Sequence, residues 1–332
     1  MKAIVMTGAG APDVLELRDL PVPRLQTPTQ VLVRLRAAGV NPIDTKVRQR
    51  GPFISNGSPD ILGCDGAGVV EVVGPHVSGF GPGDAVYFCF GGLGGSQGNY
   101  AEYALVEQHC LTPKPQSLSF EEAAAAPLVL ITAWEALYDR ARLCAGQRVL
   151  IQAGAGGVGH VAVQLAKRQG ATVATTVSTA QKADFVKGLG ADLPILYPQQ
   201  DFVEAVLDWT DGEGVDVAFD TVGGETFYRS CEAVKVYGDV VTLLQPSQDG
   251  NLKGARQRNL RVGLELMLTP MLLKLQEEQA EQAKILRECG RLFDSGALQV
   301  QVSQVFPLAE AAEAHRRIEA GSMSGKVVLT ME

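Results

Sequence analysis

The chain has 332 residues, more than one hydrophobic core usually supports, so two domains are predicted. A hydrophobic fraction of 46% and a charged fraction of 20% are typical of a globular protein, and a net charge of −8 argues against nucleic acid as a partner. The longest apolar run, 123–134, is too short to span a membrane. The six cysteines form no C-x-x-C pair, which favours a cytoplasmic protein with reduced thiols.

The first 125 residues contain short runs rich in β-branched and aromatic residues, separated by glycine and proline. Such runs predict strands, and turn pairs such as Pro82-Gly83 separate some of them. The segments predicted as strands are 2–6, 13–21, 30–40, 66–74, 83–90 and 98–107. This pattern is typical of a compact, barrel-like β domain.

Helical patterns begin near residue 120. Residues 117–141 predict a helix pair, with Ser119 as the N-cap and Glu122 at the capping-box spacing. Two later segments are typical of buried parallel strands, one of a polar helix and one of a final strand. In that order, they are 215–223, 238–246, 270–295 and 326–331.

The order of these segments predicts the domain organisation. Because strand patterns both precede and follow the helical part, a nucleotide-binding domain, 126–299, is predicted to be inserted into a β domain formed by 1–125 and 300–332. In such an arrangement the ligand is expected in the cleft between the domains, at the carboxyl ends of the parallel strands.

Residues 148–177 show a strand–turn–helix–strand pattern with glycines spaced G-x-G-x-x-G. Gly154 permits the tight turn, Gly156 lets backbone N–H groups approach a pyrophosphate, and Gly159 lets the helix pack on the strand. The helix N-terminus adds partial positive charge. A dinucleotide-binding unit is therefore predicted, and the alternative is a purely structural glycine turn. The predicted cofactor-binding residues of this turn are Gly154, Ala155, Gly156, Gly157 and Val158.

The second strand of this unit ends without the acidic residue that binds the ribose 2′-hydroxyl of NAD. Its end offers Ser178, and no carboxylate appears before Asp184, which is expected in the next helix. Ser178 can donate a hydrogen bond to a 2′-phosphate, and Lys182 can supply positive charge. The sequence therefore favours NADP(H), while the alternative for Lys182 is a solvated helix residue.

Several segments in order resemble the zinc-independent branch of the medium-chain dehydrogenase/reductase superfamily, the quinone oxidoreductase-like proteins, over nearly the whole chain. They are 37–53, 62–74, 79–87, 130–159 and 324–329. The arrangement of Asn41, Asp44 and Lys46 is similar to that of the subgroup with plant alkenal and enone reductases. The resemblance implies an α/β protein with a Rossmann-type doubly wound parallel sheet and a GroES-like β-barrel domain. It also implies dimers or tetramers, and a homodimer is expected here.

The resemblance also indicates where alcohol dehydrogenases of the superfamily hold catalytic zinc. The first ligand position falls within 41–44, the second at Cys64 and the third around 126–127, and the four-cysteine structural lobe is missing. Cys64 with Asp65 is the remaining ligand-like pair, and two adjacent ligands do not make a site with three protein ligands. No metal is therefore expected.

The motif that begins at Asn41 supplies the candidate catalytic residues. Asn41 matches a family asparagine near the nicotinamide and the substrate oxygen, and the alternative is an Asn-Pro turn. Asp44 and Lys46 are candidates for an ion pair, with Lys46 as donor to a carbonyl oxygen; the alternative is a solvated lysine. Enoyl reductases of the superfamily commonly carry a tyrosine proton donor where this chain has Phe53, so the source of the proton is left open.

Further positions match residues that contact the cofactor in relatives. They match positions at the nicotinamide end, beside the adenosine phosphate, after two successive strands and near the C-terminus. In that order, they are Thr132; Tyr197; Val222; Leu243, Leu244 and Gln245; and Lys326. The glycine-rich segment 91–100 is predicted to be a flexible loop near the cleft, and the alternative is a solvent loop without a role.

These features predict hydride transfer from NADPH, without a metal, to a quinone or an α,β-unsaturated carbonyl. Such acceptors delocalise the incoming charge, so the protein supplies orientation and hydrogen bonds. One alternative is a non-catalytic or regulatory NADPH-binding protein, and a further one is a zinc alcohol dehydrogenase with unusual ligands. The apolar patch 264–273 is predicted to line the substrate entrance or to pack between subunits, with ordinary core as the alternative.

Overall fold

The computed structural model describes residues 1–54 and 60–331. The chain divides into two compact units, Met1–Ile131 with Leu268–Glu332 and Thr132–Met267. Each unit is a region in which the residues pack mainly against one another, which does not show that it folds on its own. The domain bounds predicted from the sequence therefore stay a prediction. No described helix is long and apolar enough to cross a membrane.

The described strands and helices agree in type with most of the predicted segments. The strands are β1 (Lys2–Met6), β2 (Leu15–Asp19), β3 (Gln30–Val40), β4 (Asp65–Val73), β5 (Ala85–Cys89), β6 (Tyr103–Glu107), β7 (Thr112–Pro113), β8 (Arg148–Ile151), β9 (Thr172–Val177), β10 (Leu193–Leu196), β11 (Val215–Asp220), β12 (Val234–Thr242), β13 (Arg261–Leu264), β14 (Val302–Pro307) and β15 (Lys326–Thr330). The α-helices are α1 (Pro42–Arg50), α2 (Phe120–Ala125), α3 (Pro127–Trp134), α4 (Gly157–Arg168), α5 (Ala180–Gly188), α6 (Phe202–Trp209), α7 (Glu225–Glu232), α8 (Lys253–Gln257), α9 (Thr269–Leu272), α10 (Gln276–Asp294) and α11 (Ala311–Glu319).

The first unit contains a sheet in the order β14-β15-β3-β4-β5-β7, with β6 also paired to β3, and a separate hairpin of β1 and β2. Strand β3 is central because β4, β6 and β15 all pair with it antiparallel. Its alternate residues Val31, Val33 and Leu35 are buried in a core that also contains Val70 and Phe88. The chain returns through β15 to complete the sheet that its N-terminal strands begin.

The second unit contains a six-stranded parallel sheet in the order β10-β9-β8-β11-β12-β13. Counted from β8, this is the order 3-2-1-4-5-6 of a doubly wound nucleotide-binding sheet. Helices connect the successive strands, as parallel pairing requires. Leu150, Ala174, Ile195, Ala218 and Val240, one from each of five neighbouring strands, lie in its buried core. The predicted Rossmann-type fold class is confirmed.

The N-terminus of α2 has the predicted cap. The Ser119 side chain accepts a hydrogen bond from the Glu122 backbone N–H at 3.2 Å, and the Glu122 carboxylate accepts from the Ser119 N–H at 2.8 Å. These bonds satisfy two backbone donors that a helix start leaves without an intrahelical partner. The capping-box prediction is confirmed.

Two segments differ from their predictions. Helix α1 is not among the predicted elements, because an Asn-Pro pair is more typical of a turn. Residues 91–100 form a loop, as predicted, but the solvent-loop alternative was wrong, since Leu93, Asn99 and Tyr100 are at most 2% exposed. Glycines at 91, 92 and 94 adopt positive φ, which lets this segment fold back into the first unit.

Candidate functional site

A buried polar cluster lies in the first unit where β3 ends and α1 begins. We define it as Asn41, Asp44, Asp65, Tyr100 and Lys326, each at most 3% exposed. Strand pairing creates it, because β4 starts at Asp65 and β15 starts at Lys326, both beside the end of β3. Three strand ends thus bring an amide, two carboxyl groups and an amine together.

Asn41 connects the members of this cluster. It is the N-cap of α1, and its backbone N–H donates to Asp44 Oδ2 at 2.8 Å. Its side-chain Nδ2 donates to Asp65 Oδ2 at 2.8 Å, while its Oδ1 accepts from Lys326 Nζ. Because both ends of the amide are engaged and the side chain is fully buried, Asn41 holds its neighbours in position.

Lys326 brings a positive charge into this cluster. Its Nζ lies 3.3 Å from the carbonyl oxygen of Val40 and 3.8 Å from Asp65 Oδ2. Burial lowers the pKa of Lys326, although the charges of Asp65 and Asp44 oppose this shift. Burial likewise raises the pKa of Asp65, against the influence of Lys326. Lys326 is therefore part of the internal network of the first unit, and its predicted contact with the cofactor stays a prediction.

Asp44 is a fully buried carboxyl group of the cluster, and its pKa is strongly raised. Burial raises its pKa to about 7, although the Asn41 N–H and the Tyr100 hydroxyl favour its ionised form. The Tyr100 hydroxyl donates to Asp44 Oδ2 at 3.0 Å and lies 3.3 Å from His315 Nε2. Burial lowers the pKa of His315 to about 3, so its ring is neutral.

The predicted ion pair between Asp44 and Lys46 was wrong. Among ion pairs within 1–54 and 60–331, none joins these two side chains, and Asp44 instead contacts Asn41 and Tyr100. The physical reason is helical geometry, since residues two apart on α1 do not face each other. Lys46 is half-buried, and burial together with the charge of Arg50 lowers its pKa.

The residues at the family's zinc positions do not fit a catalytic zinc. Burial raises the pKa of the Cys64 thiol well above its ordinary value, whereas zinc binds the thiolate. The Cys64 Sγ lies 3.9 Å from Asp44 Oδ1, and the neighbouring Asp65 is already bonded to Asn41 and close to the Lys326 amine. Within the described ranges, no group of three or more His, Cys, Asp or Glu side chains is arranged to hold a metal ion.

In the second unit, the glycine turn lies between β8 and α4. A Cβ at Gly154 would lie 2.0 Å from Thr175 Oγ1, and one at Gly159 would lie 2.2 Å from the Ala153 carbonyl oxygen. Both glycines are therefore required by close packing. Gly156 is the N-cap of α4 and supplies no side chain to its first turn. The backbone N–H groups of this first turn are suited to binding an anion such as a pyrophosphate.

A cavity of about 730 Å³ opens at the carboxyl ends of β8, β9, β10 and β11. Doubly wound sheets bind nucleotides at this edge. Ala153 of the glycine turn lines the cavity, as do Tyr197, which is 54% exposed, and Val222, which is 46% exposed. The structure thus places two predicted cofactor contacts around one cavity next to the glycine turn.

The end of β9 keeps the features that favour NADP(H). Ser178 follows the strand directly, and Thr179 caps α5 by accepting a hydrogen bond from the Lys182 backbone N–H at 3.2 Å. Asp184 lies within α5, as predicted, and it is exposed. The strand end therefore has no carboxylate before the helix, and the roles of Ser178 and Lys182 stay predictions.

A buried carboxylate joins the next two strand ends. Asp220 Oδ1 accepts from the Val222 N–H at 3.0 Å, and Asp220 Oδ2 accepts from the Thr242 hydroxyl at 2.9 Å. The Leu243 N–H donates to the Asp220 carbonyl oxygen at 3.1 Å, and Leu244 and Gln245 follow it. The predicted positions after β11 and β12 are thus brought together by Asp220.

The other predicted cofactor residues lie in or near the same turn, or in a buried helix. Ala155 belongs to the turn, Gly157 and Val158 begin α4, and Thr132 is buried in α3. Their contacts with a cofactor stay predictions.

Three central residues are missing from the predicted site. Asp65 was named only for its place beside Cys64, although an acidic residue at the start of a buried strand indicates a polar partner. Asp220 ends a buried strand in front of two glycines, which is a comparable signal. Tyr100 carried no such signal, because its position depends on how the segment 91–100 folds back.

The doubly wound sheet and glycine turn of the second unit, together with the buried polar cluster of the first unit, are typical of a nucleotide-dependent oxidoreductase. The family model described as alcohol dehydrogenase GroES-like domain matches residues 27–116, and the model described as zinc-binding dehydrogenase matches residues 189–329. The chain is 35% identical to a quinone oxidoreductase of Pseudomonas aeruginosa, with 99% of each chain covered. It is 33% identical to a 2-haloacrylate reductase of a Burkholderia species, with 98% of each covered.

Solved structures agree with these relatives. The Escherichia coli quinone oxidoreductase complexed with NADPH is similar with a TM-score of 0.87 and 30% identity, covering 99% of this chain and 100% of that chain. The chain therefore belongs to the medium-chain dehydrogenase/reductase superfamily, among its quinone oxidoreductase-like members. It is an oxidoreductase of the quinone and enone reductase type, and the resemblance inferred from its sequence is confirmed.

Proposed function

We propose that the protein is an NADPH-dependent, zinc-independent reductase of quinones or α,β-unsaturated carbonyls. The observation that carries the proposal is the uncapped N-terminus of α4 at Gly156, beside a cavity of about 730 Å³ at the nucleotide-binding edge of the sheet. NADPH would supply the hydride at its nicotinamide ring. The relatives' names, quinone oxidoreductase and 2-haloacrylate reductase, support electron-poor acceptors.

The preference for NADPH is proposed from the end of β9. Ser178 supplies a hydroxyl, Lys182 an ammonium group, and Tyr197 a hydroxyl at the rim of the cavity. We expect Lys182→Ala to raise the KM for NADPH about tenfold and to leave the KM for NADH nearly unchanged, since a charge-assisted phosphate contact contributes roughly 1.5 kcal/mol or more. Lys187→Ala, an exposed lysine on the same helix, is the matched control. Equal losses with both cofactors would contradict this assignment.

Zinc independence is proposed from the chemistry of the buried polar cluster. Lys326 already supplies a cation beside Asp65, and Asp65 Oδ2 already accepts a hydrogen bond from Asn41. The purified protein is expected to contain far less than one zinc per chain and to keep its activity in a chelator. Stoichiometric zinc whose removal abolishes turnover would instead favour an alcohol dehydrogenase with unusual ligands.

Without a Lewis acid, the acceptor itself must tolerate the incoming charge. Quinones and enones do so by delocalising it onto oxygen, where a protein donor can stabilise it. Lys46 is the proposed donor, and Asn41 and Asp44 are proposed to position this part of α1 through the cap that they form. Lys46→Ala is expected to lower kcat/KM for the acceptor while the dissociation constant for NADPH stays constant.

The decisive assay follows NADPH oxidation with 1,2-naphthoquinone, 9,10-phenanthrenequinone, acrolein and a long-chain enone. Turnover of at least one acceptor class is expected. Tight NADPH binding without turnover of any of them would favour the non-catalytic or regulatory alternative. The cytoplasmic location predicted from the cysteine pattern is consistent with a supply of reduced nucleotide, and it remains part of this proposal.

A homodimer is proposed from the edge strand of the second unit. On and just after β13, Leu264 is 72% exposed and Leu266 is 54% exposed, whereas Met267 is buried. Exposed apolar side chains on a sheet edge are typical of an interface. Leu266→Glu is expected to reduce the sedimenting mass, and an unchanged mass would remove this proposal. Met267 is unsuitable for the test, since a charge there would disturb the core.

A further inference from the structure

Arg229 of α7 is held in one position by two neighbours from the start of α6. Its guanidinium forms an ion pair with Asp201, and its Cζ lies 4.9 Å from the ring centroid of Phe202, over the ring face. Phe202 is buried, so this support is fixed, and Asp201 is itself fixed as the N-cap of α6 through bonds to two backbone N–H groups. The guanidinium is thus oriented before any ligand binds.

Like Phe202, Arg229 lines the cavity at the edge of the parallel sheet. Its side chain is 38% exposed, and the same cavity is lined by Tyr197 and Val222. A planar guanidinium whose one face rests on an aromatic ring offers its other face to a second flat group. Purine bases stack on such surfaces.

The charges around Arg229 favour a neutral base over a phosphate. Asp201 neutralises the guanidinium, and Glu225 adds a second carboxylate to the cavity wall. A phosphate near Arg229 would meet two negative groups, whereas an uncharged purine ring meets a flat surface. The anion-binding features lie elsewhere in this unit, at the N-terminus of α4 and at the end of β9.

We propose that Arg229, supported by Phe202 and Asp201, is the surface on which the adenine ring of the nucleotide stacks. This inference rests on the proposed NADPH dependence. It assigns the adenine-binding side of the cavity to α7 and not to the helix after β9. Arg229 then contributes to nucleotide affinity through its planar surface and not through its net charge.

The test measures binding by titration calorimetry with two adenine ligands, adenosine 2′,5′-bisphosphate and 5′-AMP, and with reduced nicotinamide mononucleotide, which lacks adenine. Arg229→Lys keeps the charge opposite Asp201 but removes the planar group. Its dissociation constants for both adenine ligands are expected to rise about fivefold, by the same factor for each, and that for the mononucleotide to stay unchanged. Arg261→Lys is the matched control, because Arg261 also pairs with an aspartate, Asp239, away from the cavity.

A second measurement needs no variant. In wild-type protein with ¹⁵N-labelled arginine, the Arg229 side-chain N–H resonance is expected to move upfield when 5′-AMP binds, because the purine ring current shields protons above its face. Unchanged dissociation constants, a loss confined to the bisphosphate, or an unmoved resonance during saturable binding would each overturn the inference alone. A wild-type protein that binds neither adenine ligand would overturn the proposed NADPH dependence as well.

Discussion

Asp44 makes the stability of the first unit depend on pH in an unusual direction. Its pKa lies near 7 in the folded protein because burial disfavours the carboxylate, against an ordinary value of 3.8. The folded chain therefore binds more protons than the unfolded chain between these two values. By linkage, the contribution of Asp44 to stability is full below about pH 4, falls as pH rises, and reaches its minimum above pH 7.

Asp44→Asn should remove this dependence while preserving the local contacts. An amide oxygen can still accept from the Asn41 N–H and the Tyr100 hydroxyl, which both bond to Asp44 Oδ2. Each pH unit within the window is equivalent to about 1.4 kcal/mol. Relative to the wild type, the variant is expected to gain roughly 2.5 kcal/mol of stability between pH 5 and pH 8, with no further gain above.

Hydrogen exchange is the suitable assay for this change. Both tryptophans, Trp134 and Trp209, belong to the second unit, so their fluorescence does not follow the first. Opening free energies are measured instead on peptides from β3 and β15, with β8 and β9 as the internal control. Asp13→Asn, at a carboxylate that is 81% exposed, is the control variant and should show a much smaller change. A difference between Asp44→Asn and wild type that stays constant from pH 5 to pH 8 would refute the reasoning.

Further variants test the packing of the first unit at Lys326 and of the second unit at its glycine turn. In chemical denaturation, Lys326→Met should destabilise the first unit by about 3–5 kcal/mol, because it leaves Asp65 buried without its cation. Adding Asp65→Asn to the same chain should recover part of this loss. If stability did not recover, the loss would not come from the unpaired charge of Asp65. Gly154→Ala should destabilise the second unit by about 1–3 kcal/mol, since its Cβ would meet Thr175 Oγ1 at 2.0 Å. Gly156→Ala, at φ −73° and with its Cβ 3.1 Å from the Ala153 carbonyl oxygen, should cost less stability than Gly154→Ala but should bind NADPH more weakly than the wild type.

The parts of the fold that the sequence predicts are those governed by local periodicity. Strand β3 coincides with the predicted 30–40, because an apolar run that contains β-branched residues is typical of a buried strand, and most of its residues are buried. Helix α2 begins where Ser119 and Glu122 predict it, since a capping box is a local signal. The glycine turn was equally accessible, because its spacing and flanking patterns all lie within thirty residues or so.

The contacts of the buried polar cluster depend on distant pairing and were therefore only partly predictable. Asn41 and Asp44 were identified, but their partners Asp65, Tyr100 and Lys326 are 24, 56 and 285 residues away from one or the other. Strand register decides which side chains meet, and no local pattern encodes it. The predicted pair of Asp44 with Lys46 failed for a local reason, since residues two apart on a helix do not face each other.

The cluster also explains why this chain keeps charged groups inside a β core. Asp65 at the start of β4 and Lys326 at the start of β15 are each unfavourable alone, and Asn41 bonds to both. Removing one member would leave the others buried without hydrogen-bond or charge partners. The network therefore holds the three strand ends and the N-terminus of α1 together. A zinc ion at the same place would need ionised ligands free of other partners, whereas here the lysine neutralises the site.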